Sequence, residues 1–242
     1  MVEYVPVNIT WEGEIPIDDL ILNIKDKLFS LPDEYESKRE SVLKLLEEKD
    51  PNYYNGTIML ANITYNPEPL ITIQPIKYVD FKALHFYRTE YTDQLFQNWG
   101  AFCAVYLILD EDNNHILTGQ RTPIGEWGDG SWACPGGLLQ YEPSDIDKML
   151  LGELREEINS EIEFAEFNLI GIIESRNHRF SNLVISAKII DDIDYHRHIL
   201  TNYEFVNQSL EWKEVNNMIA LDDEKLFGDI RFLKYSHELL NR

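Results

Sequence analysis

The chain has 242 residues, with 21 Lys and Arg against 43 Asp and Glu, and a formal net charge of −22 at pH 7. Proteins that bind polymeric nucleic acid neutralise its phosphates with clustered basic side chains, so this charge argues against such a partner. Hydrophobic residues make up 44% of the chain, which is enough for a core and excludes extensive disorder.

The sequence carries no signal for secretion or membrane insertion. Its start, Met1-Val2-Glu3-Tyr4-Val5, has neither a basic segment nor an apolar one. No apolar run approaches the roughly 18 residues that span a bilayer. Cys103 and Cys134 are the only cysteines, which favours a reduced compartment over a disulfide framework. We therefore predict a cytoplasmic protein without a membrane partner.

Residues 1–95 predict an N-terminal α+β extension. Apolar spacing predicts two helices and then two strands around an Asn-Pro-Glu-Pro turn, which suggests a hairpin. The next segment, residues 81–99, is aromatic-rich and helical in part. The two helices and two strands cover Asp18–Phe29, Glu34–Leu46, Thr57–Tyr65 and Leu70–Ile76.

Residues 96–242 predict a second unit that is built from strands around one central helix. Its strands are expected at Ala101–Leu109, Ile116–Gln120, Phe167–Ser175 and Leu183–Ile190, with a short strand within 210–221. A closing amphipathic helix is expected at Ile230–Leu240. This order of elements predicts an α/β domain with a mixed sheet.

The central helix is predicted over residues 145–158. Ser144 is a candidate N-cap, with Pro143 before it and Asp147 three residues later. Asn159 is a residue that tolerates the left-handed conformation found at helix ends.

Three glutamates lie on an unexpected side of this helix. At about 100° per residue, Glu153 and Glu157 fall within the apolar stripe, with Glu156 at its border, whereas Lys148 and Arg155 point the opposite way. The common alternative is a solvated charged face. Because carboxylates four residues apart repel each other without a cation, the pattern favours a metal site.

The segment before the helix, Trp132-Ala133-Cys134-Pro135-Gly136-Gly137, predicts a strand that runs into a glycine loop. A loop without side chains lets the backbone approach closely, so the Gly136 carbonyl is a candidate metal ligand beside the three glutamates. All these ligands are oxygen atoms, which favours Mg²⁺, with Mn²⁺ as the other candidate, and metal-assisted attack of water on a diphosphate.

The glycine loop and the Glu153-Leu154-Arg155-Glu156-Glu157 string resemble the signature of the Nudix hydrolases, G-x5-E-x7-R-E-U-x-E-E-x-G-U, where U is aliphatic. The resemblance covers residues 100–235 and implies an α/β/α sandwich with a mixed sheet. It also implies that Glu153 is catalytic as well as a metal ligand.

The chain departs from this signature at four places. Gly152 stands where the pattern has Arg, and the spacing from Gly137 to Glu153 is one residue longer. The upstream Glu is either a displaced Glu142 or is replaced by Ser144, and the final Gly is Asn159. Because the Arg braces the carboxylates in this family, its absence affects their support more than metal binding itself.

Residues outside the signature supply candidates for the general base and for phosphate binding. Glu174, at the end of a predicted strand, is the favoured base, with Glu211 and Glu214 as alternatives. Arg121, Arg88 and Arg176 are the predicted phosphate ligands, with Arg179 as a further candidate. Each of these residues has the alternative interpretation of an ordinary surface side chain. Tyr87, Phe180 and Trp127 are candidates for stacking on a base, although such aromatics are more often core residues.

The run His85-Phe86-Tyr87-Arg88 and the β-rich extension resemble the Nudix branch that hydrolyses UDP-glucose and UDP-galactose. We therefore predict an Mg²⁺-dependent hydrolase of nucleoside diphosphate-linked small molecules such as nucleotide sugars. The alternatives are a nucleoside triphosphate pyrophosphatase and a non-catalytic module that senses a nucleotide. The extension would supply substrate walls or a homodimer interface.

Overall fold

A computed structural model describes residues 8–49, 56–87, 89–122, 130–142, 144–158, 164–175, 179–190, 199–200, 205–222, 225–226 and 228–235. The helices in these ranges are α1 (Glu36–Lys49), α2 (Tyr78–Phe86), α3 (Glu90–Leu95), α4 (Ile146–Glu157), α5 (Val215–Ile219) and α6 (Gly228–Tyr235). The strands are β1 (Asn8–Pro16), β2 (Leu22–Ile24), β3 (Thr57–Tyr65), β4 (Pro69–Lys77), β5 (Gly100–Leu109), β6 (His115–Gln120), β7 (Trp132–Ala133), β8 (Gly136–Leu138), β9 (Phe164–Ser175), β10 (Phe180–Ile189), β11 (Ile199–Leu200) and β12 (Ser209–Glu214).

The central strand of the sheet is β5, every residue of which is buried. Ten residues without a charged or amide side chain form a strand that is covered on both faces. β5 runs parallel to β10 and antiparallel to β3, β6 and β8. The main path of the sheet is β1-β9-β10-β5-β3-β4-β2. The predicted α/β class with a mixed sheet is confirmed.

The two faces of β5 contact different helices. Phe102, Ala104 and Tyr106 belong to the same core cluster as Leu150 and Leu154 of α4. Val105, Leu107 and Leu109, which point to the other face, belong to a cluster that includes residues of α5 and α6. Helices therefore cover both sides of the sheet, and α4 lies on the face that the even-numbered residues of β5 form.

The N-terminal strands join the same sheet as the C-terminal ones. β1 pairs antiparallel with β9, where Asn8 lies opposite Glu174, and β3 pairs with β5, where Leu60 lies opposite Ala101. A hydrogen bond of 2.6 Å between Thr10 Oγ1 and Tyr65 Oη links β1 to β3, which shows how strongly the sheet curls. Hydrogen bonding thus crosses residue 95, and the division into 1–95 and 96–242 stays a prediction.

The predicted hairpin over residues 57–76 is confirmed, since β3 and β4 pair antiparallel with Thr57 opposite Lys77. The predicted helix over Asp18–Phe29 is wrong. A short 3₁₀ turn at Ile17–Asp19 leads instead into β2, which pairs in parallel with β4. The same apolar residues also satisfy an alternation of two, and pairing with β4 satisfies the backbone of this segment.

The Arg179 side chain links helices α2 and α3 to the start of β10. Its side chain is 3% exposed, and the guanidinium donates to the Leu84 carbonyl at 2.7 Å and pairs with Asp93 at 2.8 Å. It also lies 4.3 Å from the centre of the Phe96 ring. Arg179 therefore has a structural role inside the fold and is not the phosphate ligand that the sequence suggested.

Among the described ranges, no helix has the length and apolar character required to cross a membrane.

Candidate functional site

The glycine pair of the motif forms β8 rather than a loop. Gly136 lies opposite Val105 and Gly137 lies opposite Ala104 in the pairing with β5. Gly136 has φ of +149°, and a Cβ there would lie 2.3 Å from the Ala104 carbonyl oxygen. Only glycine fits this backbone conformation without strain. The glycine pair therefore lies directly on the central strand.

Helix α4 begins one residue later than its sequence suggested. The N-cap is Asp145, whose carboxylate accepts from the Lys148 N–H at 2.8 Å, whereas the Ser144 hydroxyl donates to Glu142. An ionised carboxylate is the stronger acceptor and also complements the positive end of the helix dipole. Asn159, the predicted C-terminal cap, lies outside the described residues.

Two carboxylates of α4 lie on the glycine pair. Glu157 is 3% exposed, and its Oε2 accepts a hydrogen bond of 2.6 Å from the Gly136 N–H. The Glu153 Oε2 lies 2.7 Å from the position that a Cβ on Gly137 would occupy. The sequence order, with the glycine pair shortly before the helix, predicts contact with the N-terminus of α4. This prediction is wrong, since the contact involves the C-terminal half of the helix. Glu153 and Glu157 lie one helical turn apart on α4, and both carboxylates lie against the backbone of the glycine pair.

The negative charge of these carboxylates reaches β5. Burial raises the pKa of the Tyr106 phenol, and the nearby Glu153 and Glu157 raise it further. Burial also raises the pKa of the Cys103 thiol, again with a contribution from Glu153. The Glu153 carboxylate therefore acts electrostatically on two buried side chains of β5, and a cation beside it would be stabilised.

The third predicted metal ligand, Glu156, is exposed on α4. Among the residues described, no three His, Cys, Asp or Glu side chains are arranged as a metal site. The structure thus brings Glu153, Glu157 and Gly136 together and leaves Glu156 at the surface beside them. The complete ligand set stays a prediction.

Glu174, the favoured general base, lies near the end of β9 opposite Ser181 of β10. The pKa of the Tyr65 phenol is raised to about 12, chiefly by burial, whereas the hydrogen bond with Thr10 lowers it. The negative charge of Glu174 also raises this pKa, so Glu174 lies near Tyr65. β10 and β5 separate β9 from β8, so three strand spacings give roughly 14 Å between the backbones of Glu174 and Gly137. The backbone register does not bring Glu174 beside the glycine pair.

The alternative bases are near the surface. Glu211 forms an ion pair with Lys213 at 3.0 Å, and Glu214 accepts from the Asn217 side chain at 2.7 Å. Neither residue has a described contact with the glycine pair.

Of the three predicted phosphate ligands, Arg121 is the one that lies among the described residues. It follows β6, its N–H donates to the Ser131 carbonyl, and its guanidinium carbon lies 5.9 Å from the centre of the buried Phe205 ring. Arg88, Arg176 and Trp127 lie outside the described residues. Phe180 is partly buried and packs against the core, with its ring centre 6.2 Å from that of Phe81, whereas Tyr87 is exposed.

Sequence reasoning missed Tyr106. Its hydroxyl, which is fully buried, donates to the Leu150 carbonyl of α4. A signal was present, since Tyr106 is the residue of β5 whose side chain bears a hydroxyl, and buried tyrosines require a hydrogen-bond partner. The identity of that partner depends on packing between α4 and β5.

Gly152, which stands at the motif position of Arg, leaves open space on the helix. A Cβ added to it would meet no atom within 4 Å. Replacing Gly152 with Ala is therefore expected to raise the free energy of unfolding by about 1 kcal/mol, because glycine is a poor residue for a helix interior. Urea unfolding measures this change. The control is Gly171→Ala, whose Cβ would lie 2.3 Å from the Phe232 ring and should destabilise the fold. A loss of stability in Gly152→Ala would contradict the prediction.

Comparison with models of known protein families gives no match, and comparison with curated proteins gives none either. Solved structures do show similarity. The MutT protein from Methanosarcina mazei Go1 is 15% identical with a TM-score of 0.42, over 59% of this chain and 95% of that chain. The Nudix hydrolase RenU from M. Smegmatis is 13% identical with a TM-score of 0.40, over 59% and 84%.

The NUDIX domain of Shewanella oneidensis NrtR, solved with ADP ribose, is 15% identical with a TM-score of 0.40, over 58% of this chain and 88% of that chain. Two of these three proteins carry the name of the family that the motif resembles. Similarities of this size assign no activity to the chain.

Proposed function

We propose that the chain is a Nudix-type hydrolase that cleaves the diphosphate bond of a nucleoside diphosphate-linked small molecule with Mg²⁺ or Mn²⁺. The proposed substrate class is nucleotide sugars such as UDP-glucose. The observation that carries the proposal is the placement of Glu153 and Glu157 side by side on the Gly136-Gly137 backbone.

The chemistry of this placement fits a hard divalent cation. Two carboxylates one turn apart repel each other, and burial of Glu157 increases the cost of its charge. Mg²⁺ and Mn²⁺ prefer such oxygen ligands, and Glu153, Glu156 and Glu157 would hold the ion with the Gly136 carbonyl. When bound, the ion would activate water and neutralise charge on the diphosphate.

The chain's own residues prepare this site. The Gly136 N–H donates to Oε2 of Glu157, and this hydrogen bond orients the other carboxylate oxygen, Oε1. The absence of a side chain at Gly137 leaves room for Glu153. The buried strand β5 excludes water from the side of the Glu153 and Glu157 carboxylates that faces the sheet. Because the surroundings are then less polar, the electrostatic interactions of these carboxylates are stronger.

Further roles follow as proposals for the residues around the diphosphate. Glu153 is the better-placed group to take the proton from the attacking water, with Glu174 as the other candidate. Arg121, held against the Phe205 ring, would bind a substrate phosphate, together with Arg88 and Arg176. The net charge of −22 favours a small conjugate over a polymer, because local cations suffice to bind it.

The test is a substrate panel with the full chain. It includes UDP-glucose, UDP-galactose, ADP-ribose and nucleoside triphosphates, each with Mg²⁺, with Mn²⁺ and with excess chelator. The expected result is metal-dependent release of phosphate-containing products from a nucleotide sugar, with ¹⁸O from labelled water in a phosphate product. Turnover of triphosphates alone would favour the pyrophosphatase. Tight binding without turnover of any compound would establish a nucleotide-sensing module instead.

A further inference from the structure

The hydroxyl of Tyr106 contacts the turn of α4 that carries Glu153. It donates a hydrogen bond to the backbone carbonyl of Leu150, three residues before Glu153. The Leu150 carbonyl and Glu153 lie within one turn of α4, so the hydroxyl contacts the turn on which Glu153 lies. Because a hydrogen bond is directional, this contact from a side chain of β5 fixes the position of the turn relative to the strand.

The same strand also holds the glycine pair. Val105, the neighbour of Tyr106, lies opposite Gly136 in the pairing of β5 with β8, and the Tyr106 N–H donates to the Pro135 carbonyl at 2.9 Å. Tyr106 therefore bonds the segment that leads into β8 through its backbone and α4 through its side chain. One residue joins the two elements whose contact forms the site.

We propose that Tyr106 is a positioning residue, whose hydroxyl fixes α4 in the register at which Glu153 and Glu157 meet the glycine pair. The effect on catalysis rests on the function proposed above, whereas the anchoring of the helix does not. A core-filling role would require only the ring, which packs with Leu150 and Leu154. The hydroxyl adds the directional contact, and residues that support metal ligands typically contribute 10–100-fold to metal affinity or activity.

The test compares Tyr106→Phe with Tyr35→Phe. Both tyrosines are fully buried, and the Tyr35 hydroxyl also has a partner, Thr89 Oγ1 at 2.5 Å, in a cluster that contains no residue of α4. Both variants keep the aromatic ring, so the core remains filled. The matched control therefore separates the loss of a buried hydroxyl from the loss of this particular contact.

Three measurements are made on the full chain. Amide hydrogen exchange without metal should be faster at residues 152–157 in Tyr106→Phe and unchanged there in Tyr35→Phe. Mn²⁺ affinity, followed by electron paramagnetic resonance, should fall about tenfold in Tyr106→Phe only. On a turned-over nucleotide sugar, kcat should fall by a similar factor while KM stays nearly constant.

The outcomes distinguish the inference from the proposed function. Unchanged exchange and unchanged Mn²⁺ affinity in Tyr106→Phe would overturn the inference, as would equal losses in both variants. A parent protein that binds no Mn²⁺ would overturn the proposed function. In that case the exchange data decide the anchoring alone, with faster exchange confined to Tyr106→Phe supporting it and unchanged exchange overturning it.

Discussion

Replacing Glu157 with Gln is expected to reduce metal-dependent turnover by more than about 100-fold, since even residues that only support metal ligands contribute 10–100-fold. The introduced amide keeps an oxygen that can accept from the Gly136 N–H, so the hydrogen bond of α4 to β8 survives. The change removes the charge that would bind the cation. Steady-state rates with Mg²⁺ and with Mn²⁺ measure the effect, and we expect the same direction for Glu156→Gln.

The control for this prediction is Glu47→Gln, an equivalent change on the exposed side of α1. It should leave turnover unchanged. Circular dichroism and urea unfolding of all three variants should show an intact fold. Calorimetric titration that gives the parent Mn²⁺ affinity in both Glu156→Gln and Glu157→Gln would refute the assignment of these two glutamates.

Replacing Gly136 with Ala is expected to lower the free energy of unfolding by about 3 kcal/mol, because strain and steric overlap act together at this position. The Cβ would lie 2.3 Å from the Ala104 carbonyl oxygen and 2.7 Å from the Val105 Cα, both in the backbone of the central strand. Neither atom moves without disturbing β5. The shift of β8 should also lengthen the bond to Glu157 and reduce activity at temperatures where the variant stays folded.

Gly130→Ala separates the two causes of this loss. Gly130 has φ of +72°, but a Cβ there would meet nothing within 4 Å, so its replacement introduces backbone strain without overlap. Its cost should be about 1 kcal/mol. Equal losses in urea unfolding of Gly130→Ala and Gly136→Ala would show that contact with β5 contributes nothing.

The parts of the fold that local pattern determines were predictable. The uninterrupted apolar run of β5 and the alternating strands on either side of an Asn-Pro-Glu-Pro turn occur where the sequence indicated. The segment at residues 18–29 was not, because its apolar residues fit both a helical and an alternating period. Pairing of β2 with β4, a tertiary interaction, decided between them.

The site divides in the same way. The position of Glu153 and Glu157 on the apolar side of α4 follows from helical geometry, and the structure places Glu157 in the interior and Glu153 on the glycine pair. The role of the Gly136 N–H as partner of Glu157 depends on how β5 pairs with β8. The role of the Tyr106 hydroxyl as anchor depends on how α4 packs against β5. The neighbourhood of Glu174 depends on the order of strands in the sheet. Neither the pairing nor the order leaves a local pattern in sequence.

The pairing of β1 with β9 has a consequence for synthesis of the chain. Asn8 pairs with Glu174, so the first strand of the sheet acquires its partner only after roughly 160 further residues have been translated, which takes about 10 to 30 s at common rates. Contacts this distant along the chain also form slowly after release from the ribosome. Until then neither edge of β1 has a strand partner, and one edge stays unpaired in the described fold because β1 ends the path of the sheet. The acidic side chains of Glu12 and Glu14, both exposed in the folded chain, repel the same edge of another copy.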